Sequence, residues 1–293
     1  MKQGFYTALG TPLDAEGRFF ADSMANQIDM QIEAGVSGLL VMGSMGNEAF
    51  LRNEDYIKVA TLSAAATKGR VPVLVGVTDV SVGRVLDRIK ALQGIKGING
   101  VVSTAPYYNA CSQDEIFTFF NEIANHSNWP VYMYDLAVVA KTPIQPQTVR
   151  RLWKNKNIKG IKSGNLVTQR VLLRAEDRPS DFSQMFSTID EFDVAYMYGL
   201  DKNLDGMFAC TPSTAKKMYE ALKNGNTKSA GEELDEILNL RDLFLNTSCL
   251  MSAFSYAMNL LGCPGRFSNM HQANITENEK EAVAEALRKM GEI

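Results

Sequence analysis

Histidine is nearly missing from this sequence: His126 and His271 are the only two in 293 residues. Zinc-dependent lyases and hydrolases rely on imidazole ligands, and a Ser-His-Asp triad needs a well-placed imidazole, so both classes are disfavoured. Neither histidine has a second ligand-like cluster near it in sequence, and His126 falls in Ala124-Asn125-His126-Ser127, at an expected helix end. Cysteine is also sparse. Cys111, Cys210, Cys249 and Cys263 are scattered without a Cys-x-x-Cys pair, the pattern of reduced thiols and not of a disulfide framework or a zinc site. No run of like charges occurs and the formal net charge is only -3, which argues against nucleic acid or an anionic membrane as a partner. No apolar stretch approaches the length that spans a bilayer, and Met1-Lys2-Gln3-Gly4-Phe5 lacks a signal peptide's apolar segment, so the expected location is the cytoplasm.

What the sequence does contain is hydrophobic content of 45%, ample for a large core, set out in alternating elements. Short apolar runs predict strands at Phe5–Ala8, Gly38–Met42, Val71–Val75, Gly100–Ser103, Pro130–Tyr134, Ile158–Lys162, Phe182–Phe186 and Gly206–Ala209. Amphipathic stretches between them predict helices at Ser23–Ala34, Asn53–Lys68, Ser81–Leu92, Gln113–Asn125, Pro146–Trp153, Leu166–Ala175 and Ile189–Tyr198. Asn53-Glu54-Asp55 and Ser112-Gln113-Asp114-Glu115 read as helix starts, where free N–H groups and the dipole favour small polar and acidic residues. Strand followed by helix, repeated without hairpin signals, points to a parallel sheet, and the number of units fits a closed (β/α)8 TIM barrel. From Ser213 onward only helical periodicity remains, at Ser213–Lys223, Thr227–Leu245, Cys249–Leu261 and Thr276–Met290. The expected organisation is a barrel over residues 1–224 and a C-terminal helical appendage over 225–293.

Chemistry in such a barrel is assembled at the C-terminal ends of the strands. Lys162 closes the run Asn157-Ile158-Lys159-Gly160-Ile161-Lys162. A lysine amine held there among apolar walls loses its proton more readily and can attack a carbonyl to give a Schiff base. Tyr134 ends the neighbouring run in Tyr132-Met133-Tyr134-Asp135. After the second strand, Gly43-Ser44-Met45-Gly46-Asn47-Glu48 has the glycine spacing of a backbone nest for a carboxylate or phosphate, with Ser44 adding a hydroxyl, although Gly-x-x-Gly alone serves equally as a tight turn. It is not a dinucleotide-binding fingerprint, which needs a third glycine and an acidic partner. Tyr107 and Tyr108, adjacent after the fourth strand, cannot both pack into one core, so one faces a cleft, a neighbouring subunit or the barrel rim. Carbon–carbon chemistry beside a keto acid needs an electron sink, a metal or an iminium; scarce histidine disfavours the first and Lys162 offers the second. Phenols and a hydroxyl can then move the protons.

These motifs resemble the dihydrodipicolinate synthase/N-acetylneuraminate lyase family of pyruvate-dependent class I aldolases and lyases, and the likeness runs from Thr7-Ala8-Leu9-Gly10-Thr11-Pro12 to the helical C-terminus. Gly43-Ser44-Met45-Gly46-Asn47 matches the family's pyruvate-carboxylate loop, Pro106-Tyr107-Tyr108 its Pro-Tyr-Tyr segment, Tyr134-Asp135-Leu136-Ala137 its Tyr-Asn-x-Pro, and Gly160-Ile161-Lys162 its Gly-x-Lys strand. The resemblance implies that Lys162 is the Schiff-base residue and Tyr134 the proton-transferring phenol. Ser44 and Tyr108 would complete the relay, with Tyr108 lent across a subunit interface in a homodimer or homotetramer. It implies pyruvate as the keto acid and no cofactor beyond the covalent Schiff base, with no metal. Phe208, in the eighth run, joins the expected substrate-binding set with Gly43, Met45, Gly46, Asn47 and Val139.

The departures bear on the substrate. Asn47 stands for the family's glutamate, Asp135 for its asparagine, and Ser163-Gly164-Asn165 is a shortened loop. Synthases that join pyruvate to aspartate semialdehyde carry an arginine where this chain has Val139, and Lys141 nearby lacks the bidentate fork. Ser187-Thr188-Ile189-Asp190-Glu191 resembles the Gly-x-Asp-Glu of sialic acid lyases and keto-deoxy sugar acid aldolases, with Thr188 in place of glycine. Asp190 and Glu191 serve either as acceptors for sugar hydroxyls or as favourable carboxylates at a helix start. The expectation is therefore a pyruvate-releasing lyase of a keto-deoxy sugar acid or sialic acid. The alternatives are the aspartate-semialdehyde synthase, 4-hydroxy-tetrahydrodipicolinate synthase activity, and a non-catalytic keto-acid binding protein.

Overall fold

The computed structural model describes residues 1–136 and 138–293; Ala137, the last residue of the strand-five motif, lies outside the described residues. Eight short strands form the barrel: β1 (Gly4–Ala8), β2 (Leu39–Val41), β3 (Val73–Gly76), β4 (Ile98–Thr104), β5 (Val131–Asp135), β6 (Ile158–Ser163), β7 (Ser183–Phe186) and β8 (Lys202–Asp205). All neighbours pair in parallel, and β8 returns to β1 to close the sheet. A closed sheet has no free edge, so every strand is hydrogen-bonded on both sides.

Helices α1 (Ala21–Glu33), α2 (Asn53–Ala66), α3 (Val82–Ala91), α4 (Gln113–His126), α5 (Pro146–Leu152), α6 (Leu166–Leu173), α7 (Phe192–Met197) and α8 (Pro212–Lys223) follow the strands in turn. Three further helices, α9 (Thr227–Leu245), α10 (Leu250–Leu260) and α11 (Glu277–Met290), follow; α9 packs on α8, and the three pack on one another. Local sequence sets several starts. Ser112 accepts from the Glu115 N–H while the Glu115 carboxylate accepts from the Ser112 N–H, and Thr276 with Glu279 repeats the arrangement. Each satisfies N–H groups that a helix start leaves open.

Three expectations are corrected. Strand eight is Lys202–Asp205 and not Gly206–Ala209, which instead contains a 3-10 turn. The stretch Ile189–Tyr198 is a 3-10 turn (Ile189–Glu191) followed by the six-residue α7. Asn53 is the first residue of α2 and does not cap it; Arg52 holds that place without a side-chain hydrogen bond.

Side chains that alternate along the strands divide into two cores. Outside the sheet, against the helices, lie Phe5, Val41, Val73, Val101, Met133 and Ile161. Inside the barrel lie Tyr6, Leu40, Leu74, Val102, Tyr132, Tyr134, Met185 and Leu204. The register pairs Tyr132 with Gly160 and Tyr134 with Lys162, so these residues stand in two successive layers of the interior. Glycine at 160 is a packing requirement. A Cβ there would sit 2.8 Å from the Tyr132 ring and 2.4 Å from the Ser183 carbonyl oxygen. Gly160→Ala is expected to lose about 1–3 kcal/mol of stability through overpacking. Gly231, in α9, has open space around it, and Gly231→Ala should hold or gain up to about 1 kcal/mol from helix propensity. Urea titration of both variants checks this, and equal effects would contradict it.

Candidate active site

The second layer of the barrel interior opens at the C-terminal ends of the strands. Lys162, 5% exposed, reaches up from β6, and its Nζ donates a 2.6 Å hydrogen bond to Tyr134 Oη on β5. The amine also lies 3.8 Å from the Tyr134 ring centre. Among the described residues no carboxylate lies within ion-pair distance of the Lys162 amine, so the phenol is its one protein partner. Tyr134 Oη in turn stands 3.3 Å from Ser44 Oγ in the loop after β2. Amine, phenol and hydroxyl thus form a continuous chain drawn from three strands.

The loop that supplies Ser44 is curled tightly. Met42 and Asn47 both take left-handed backbone conformations, with φ of 55° and 53°. The Asn47 N–H donates to the Ser44 carbonyl, the Glu48 N–H to the Gly43 carbonyl, and Thr11 Oγ1 to the Gly46 carbonyl at 2.7 Å. Among the described residues the N–H groups of Ser44, Met45 and Gly46 donate to no protein acceptor. Successive unpaired N–H groups in such a curl make an anion-binding concavity. Glycine is required at 46, where a Cβ would meet Met42 Cα at 2.9 Å and the Leu9 carbonyl at 3.0 Å. Asn47 is buried and its amide donates to the Phe267 carbonyl at 2.7 Å, which anchors the loop to the C-terminal segment. Met45 turns over the end of β8, into the space that a side chain on Gly206 would need.

Beside this chain is a cavity of about 310 Å³, lined by Gly43, Ser44 and Tyr134 at one end and by Phe50, Leu136 and Val139 among others. Three lining residues passed over by the sequence reading, Glu48, Thr78 and Thr104, add polar atoms, and so does Tyr107, one of the adjacent tyrosines. Thr78 Oγ1 accepts from the Thr104 N–H at 3.1 Å. Thr104 Oγ1 and Glu48 Oε1 are both buried without a hydrogen-bond partner among the described residues. The Arg88 guanidinium stands 3.8 Å from Glu48 and spends its shorter bond, 3.0 Å, on Asp79. Of the adjacent tyrosines, Tyr107 turns to its own cavity, whereas Tyr108 is 74% exposed. Burial and the nearby Asp79 and Glu48 carboxylates raise the Tyr107 phenol above its ordinary range.

The remaining expected site residues lie elsewhere. Phe208 is fully buried outside the barrel, its ring stacked 5.6 Å from Phe192 and edge-on to Phe5 at 5.9 Å, so its side chain contributes to the outer core and not to the cavity. The displacement of strand eight accounts for this. Asp190 accepts a 2.5 Å hydrogen bond from Arg241 on α9, which lowers its carboxyl below the usual range, and neither Asp190 nor Glu191 lines the cavity. Thr188 donates to the Gly164 carbonyl at 2.8 Å and fills the space a side chain on Gly164 would take, which fixes the short loop after Lys162. Asp135 accepts from the Ile144 N–H and from Ser163 Oγ, tying the ends of β5 and β6 to the loop that carries Val139.

A (β/α)8 barrel with a buried lysine on its sixth strand, joined to a strand-five tyrosine, defines the architecture of a class I aldolase. The chain belongs to the Dihydrodipicolinate synthetase family, which it matches over residues 1–290. Members of this family are pyruvate-dependent enzymes of the class I aldolase and lyase type. The chain is 28% identical to 4-hydroxy-tetrahydrodipicolinate synthase of Bartonella bacilliformis, with 99% of each chain covered. Its fold is similar to that of dihydrodipicolinate synthase from Thermotoga maritima, at a TM-score of 0.90, 22% identity and full coverage of both chains. It is also similar to YagE, a prophage protein of the dihydrodipicolinic acid synthase family from E. coli K12 in complex with pyruvate, at a TM-score of 0.89, 21% identity and full coverage of both. No helix of the described residues is long and apolar enough to cross a membrane.

Glu48 gives the site a pH signature. Burial pushes its carboxyl well above the usual carboxylate range, against the opposing pull of Arg88. The unfolded chain therefore releases this proton at lower pH than the folded one. Stability from the raised group is complete below about 4.5 and is lost as pH rises through the folded-state titration. Glu48→Gln removes that slope, so its melting temperature should fall less than that of the wild type between about pH 5 and pH 8. Parallel curves for the two proteins would contradict this reading.

Proposed function

We propose that this chain is a Schiff-base-forming, pyruvate-dependent aldolase or lyase acting on a 2-keto acid. The observation that supports it most strongly is the chain from Lys162 Nζ through Tyr134 Oη to Ser44 Oγ, set beside unpaired N–H groups. The substrate carboxylate binds the N–H groups of Ser44, Met45 and Gly46, which brings the keto carbon over Lys162. The amine attacks, Tyr134 passes a proton to the departing oxygen, and water leaves to give the iminium. In cleavage the bond between C3 and C4 breaks and its electron pair enters the iminium as an enamine. The C4 hydroxyl gives its proton to the phenolic relay, and C4 departs as an aldehyde. Protonation at C3 and hydrolysis then release pyruvate and restore the amine. The residues supply the whole electron sink, so the scheme uses no metal or other cofactor. The complex of YagE with pyruvate is in keeping with this ligand, and the chain from Lys162 through Tyr134 to Ser44 favours turnover over a role limited to keto-acid binding.

The finer substrate readings draw less support. The keto-deoxy sugar acid or sialic acid reading relied on Asp190 and Glu191, and Asp190 is held by Arg241. The synthase reading agrees with the name of the Bartonella bacilliformis relative, but Val139 offers no cation for the carboxylate of aspartate semialdehyde.

Treatment with pyruvate and borohydride should add one reduced pyruvate to Lys162, read by peptide mass. Tyr134→Phe should keep pyruvate binding, since the nest donors are backbone groups, and slow adduct formation about a hundredfold or more. An unmodified Lys162 in folded protein would overturn the mechanism, and near-wild-type rates in Tyr134→Phe would remove the phenol from it.

The same reading gives Tyr108 a role in trans, within a homodimer or homotetramer. Its ring is exposed while Tyr107 occupies the cavity of its own chain, and exposed aromatics are favoured at subunit interfaces. Tyr108→Phe and Lys162→Ala proteins, each poorly active, should regain activity when mixed and allowed to exchange subunits. A fully active monomer would exclude the shared site.

A further inference from the structure

The cavity bordered by Ser44 and Tyr134 of the relay is larger than pyruvate requires, and part of its wall is apolar. Ala49, Phe50, Val102, Leu136 and Val139 line it, and among its lining residues there is no lysine or arginine. Phe50 and Val139 are exposed, at 64% and 39%, so large apolar side chains border the cavity where water reaches them. Exposed apolar surface that borders a concave site is a common mark of ligand contact.

We infer that the second half of the substrate, the part that leaves as an aldehyde, is uncharged and apolar: an aryl or alkyl aldehyde. This rests on the Schiff-base reading above. A second carboxylate placed against Phe50, Leu136 and Val139 would lose its water without gaining a cation. The Arg88 guanidinium stands 3.8 Å from Glu48 and is engaged by Asp79 at 3.0 Å. A chain of several hydroxyls fares little better, because the apolar wall leaves those facing it unpaired. Besides Ser44 and Tyr134 of the relay, the polar lining consists of Tyr107, Thr78, Thr104, Glu48 and Asn47, whose amide is held by the Phe267 carbonyl. Thr78 Oγ1 already accepts from the Thr104 N–H. Among the described residues Thr104 Oγ1 and Glu48 Oε1 are buried without a hydrogen-bond partner, each within a residue less than one-tenth exposed, and the Arg88 guanidinium stands 3.8 Å from the Glu48 oxygen. Burial keeps the Glu48 carboxyl toward its neutral form, which can donate as well as accept.

The reaction balances as for any aldol pair. In the forward direction the enamine carbon of pyruvate bonds to the aldehyde carbon, the aldehyde oxygen takes a proton, and hydrolysis of the iminium frees Lys162. No oxidant or other co-reactant is needed.

The test offers pyruvate with benzaldehyde or hexanal, with glyceraldehyde, and with aspartate semialdehyde, and compares kcat/KM for formation of the hydroxy-keto acid. Borohydride trapping of pyruvate runs in parallel. The expected result is a preference of about tenfold or more for an apolar aldehyde over both polar ones, the scale on which apolar pockets discriminate. Val139→Arg should cut that apolar reaction by about tenfold and raise use of aspartate semialdehyde. Trapping at Lys162 with equal or better use of glyceraldehyde or aspartate semialdehyde would overturn the assignment of an apolar acceptor and leave the lysine chemistry standing. Trapping with no use of an apolar aldehyde would do the same. Loss of trapping in the wild-type protein would instead remove the Schiff-base reading, and this inference with it.

Discussion

The hydrogen bond from the Lys162 amine to the Tyr134 hydroxyl depends on nearly everything else in the molecule. It requires β5 and β6 to be parallel neighbours with Tyr134 opposite Lys162, which in turn requires the sheet to close so that both side chains point inward. It also requires the layer beneath to be filled, and Tyr132 fills it only because residues 100 and 160 are glycine. A Cβ at either position would lie within 2.8 Å of the Tyr132 ring. The Gly-x-Lys spacing is thus both a packing rule and a chemical one: one residue yields space to an aromatic ring, and the second, one layer up, presents the amine.

Departures from the family pattern are accommodated by local contacts. Asn47 anchors its loop through the Phe267 carbonyl, and the carboxylate expected at that place appears one residue later as buried Glu48. Asp135 supplies two acceptors, for the Ile144 N–H and the Ser163 hydroxyl, that hold the ends of β5 and β6 together. Thr188 takes the space that Gly164 leaves open. Each keeps the relay's frame intact, while Val139 bears on the wall of the cavity away from it.

Much of the fold and the centre of the site were legible in the sequence, for identifiable reasons. Apolar runs that end on a polar residue marked the strand ends, and glycine spacing marked the curled loop. Strand eight was misplaced because Lys202-Asn203-Leu204-Asp205 is mostly polar, whereas the adjacent Gly206-Met207-Phe208-Ala209 looks like a buried strand. Phe208 was carried into the wrong environment with it. Glu48 and Thr78 were out of reach because they lie in turns after β2 and β3 whose path no local pattern reports, and Thr104 because its inward placement depends on cross-strand register. The β3–β4 pairing shifts between Val73 and Leu74, which breaks any simple alternation count. The engagement of Asp190 by Arg241 joins residues 51 apart in sequence, and no local pattern reports it.

The central claim is that Lys162 is the atom-level anchor of the substrate and that the loop at Ser44 holds its carboxylate. A crystal structure of the protein soaked with pyruvate tests both parts at once. The account predicts continuous density from Lys162 Nζ to C2 of pyruvate, with the carboxylate on the N–H groups of Ser44 and its neighbours and the Tyr134 hydroxyl beside the new bond. Pyruvate bound away from Lys162, or seated in the loop with the amine unmodified at full occupancy, would contradict it.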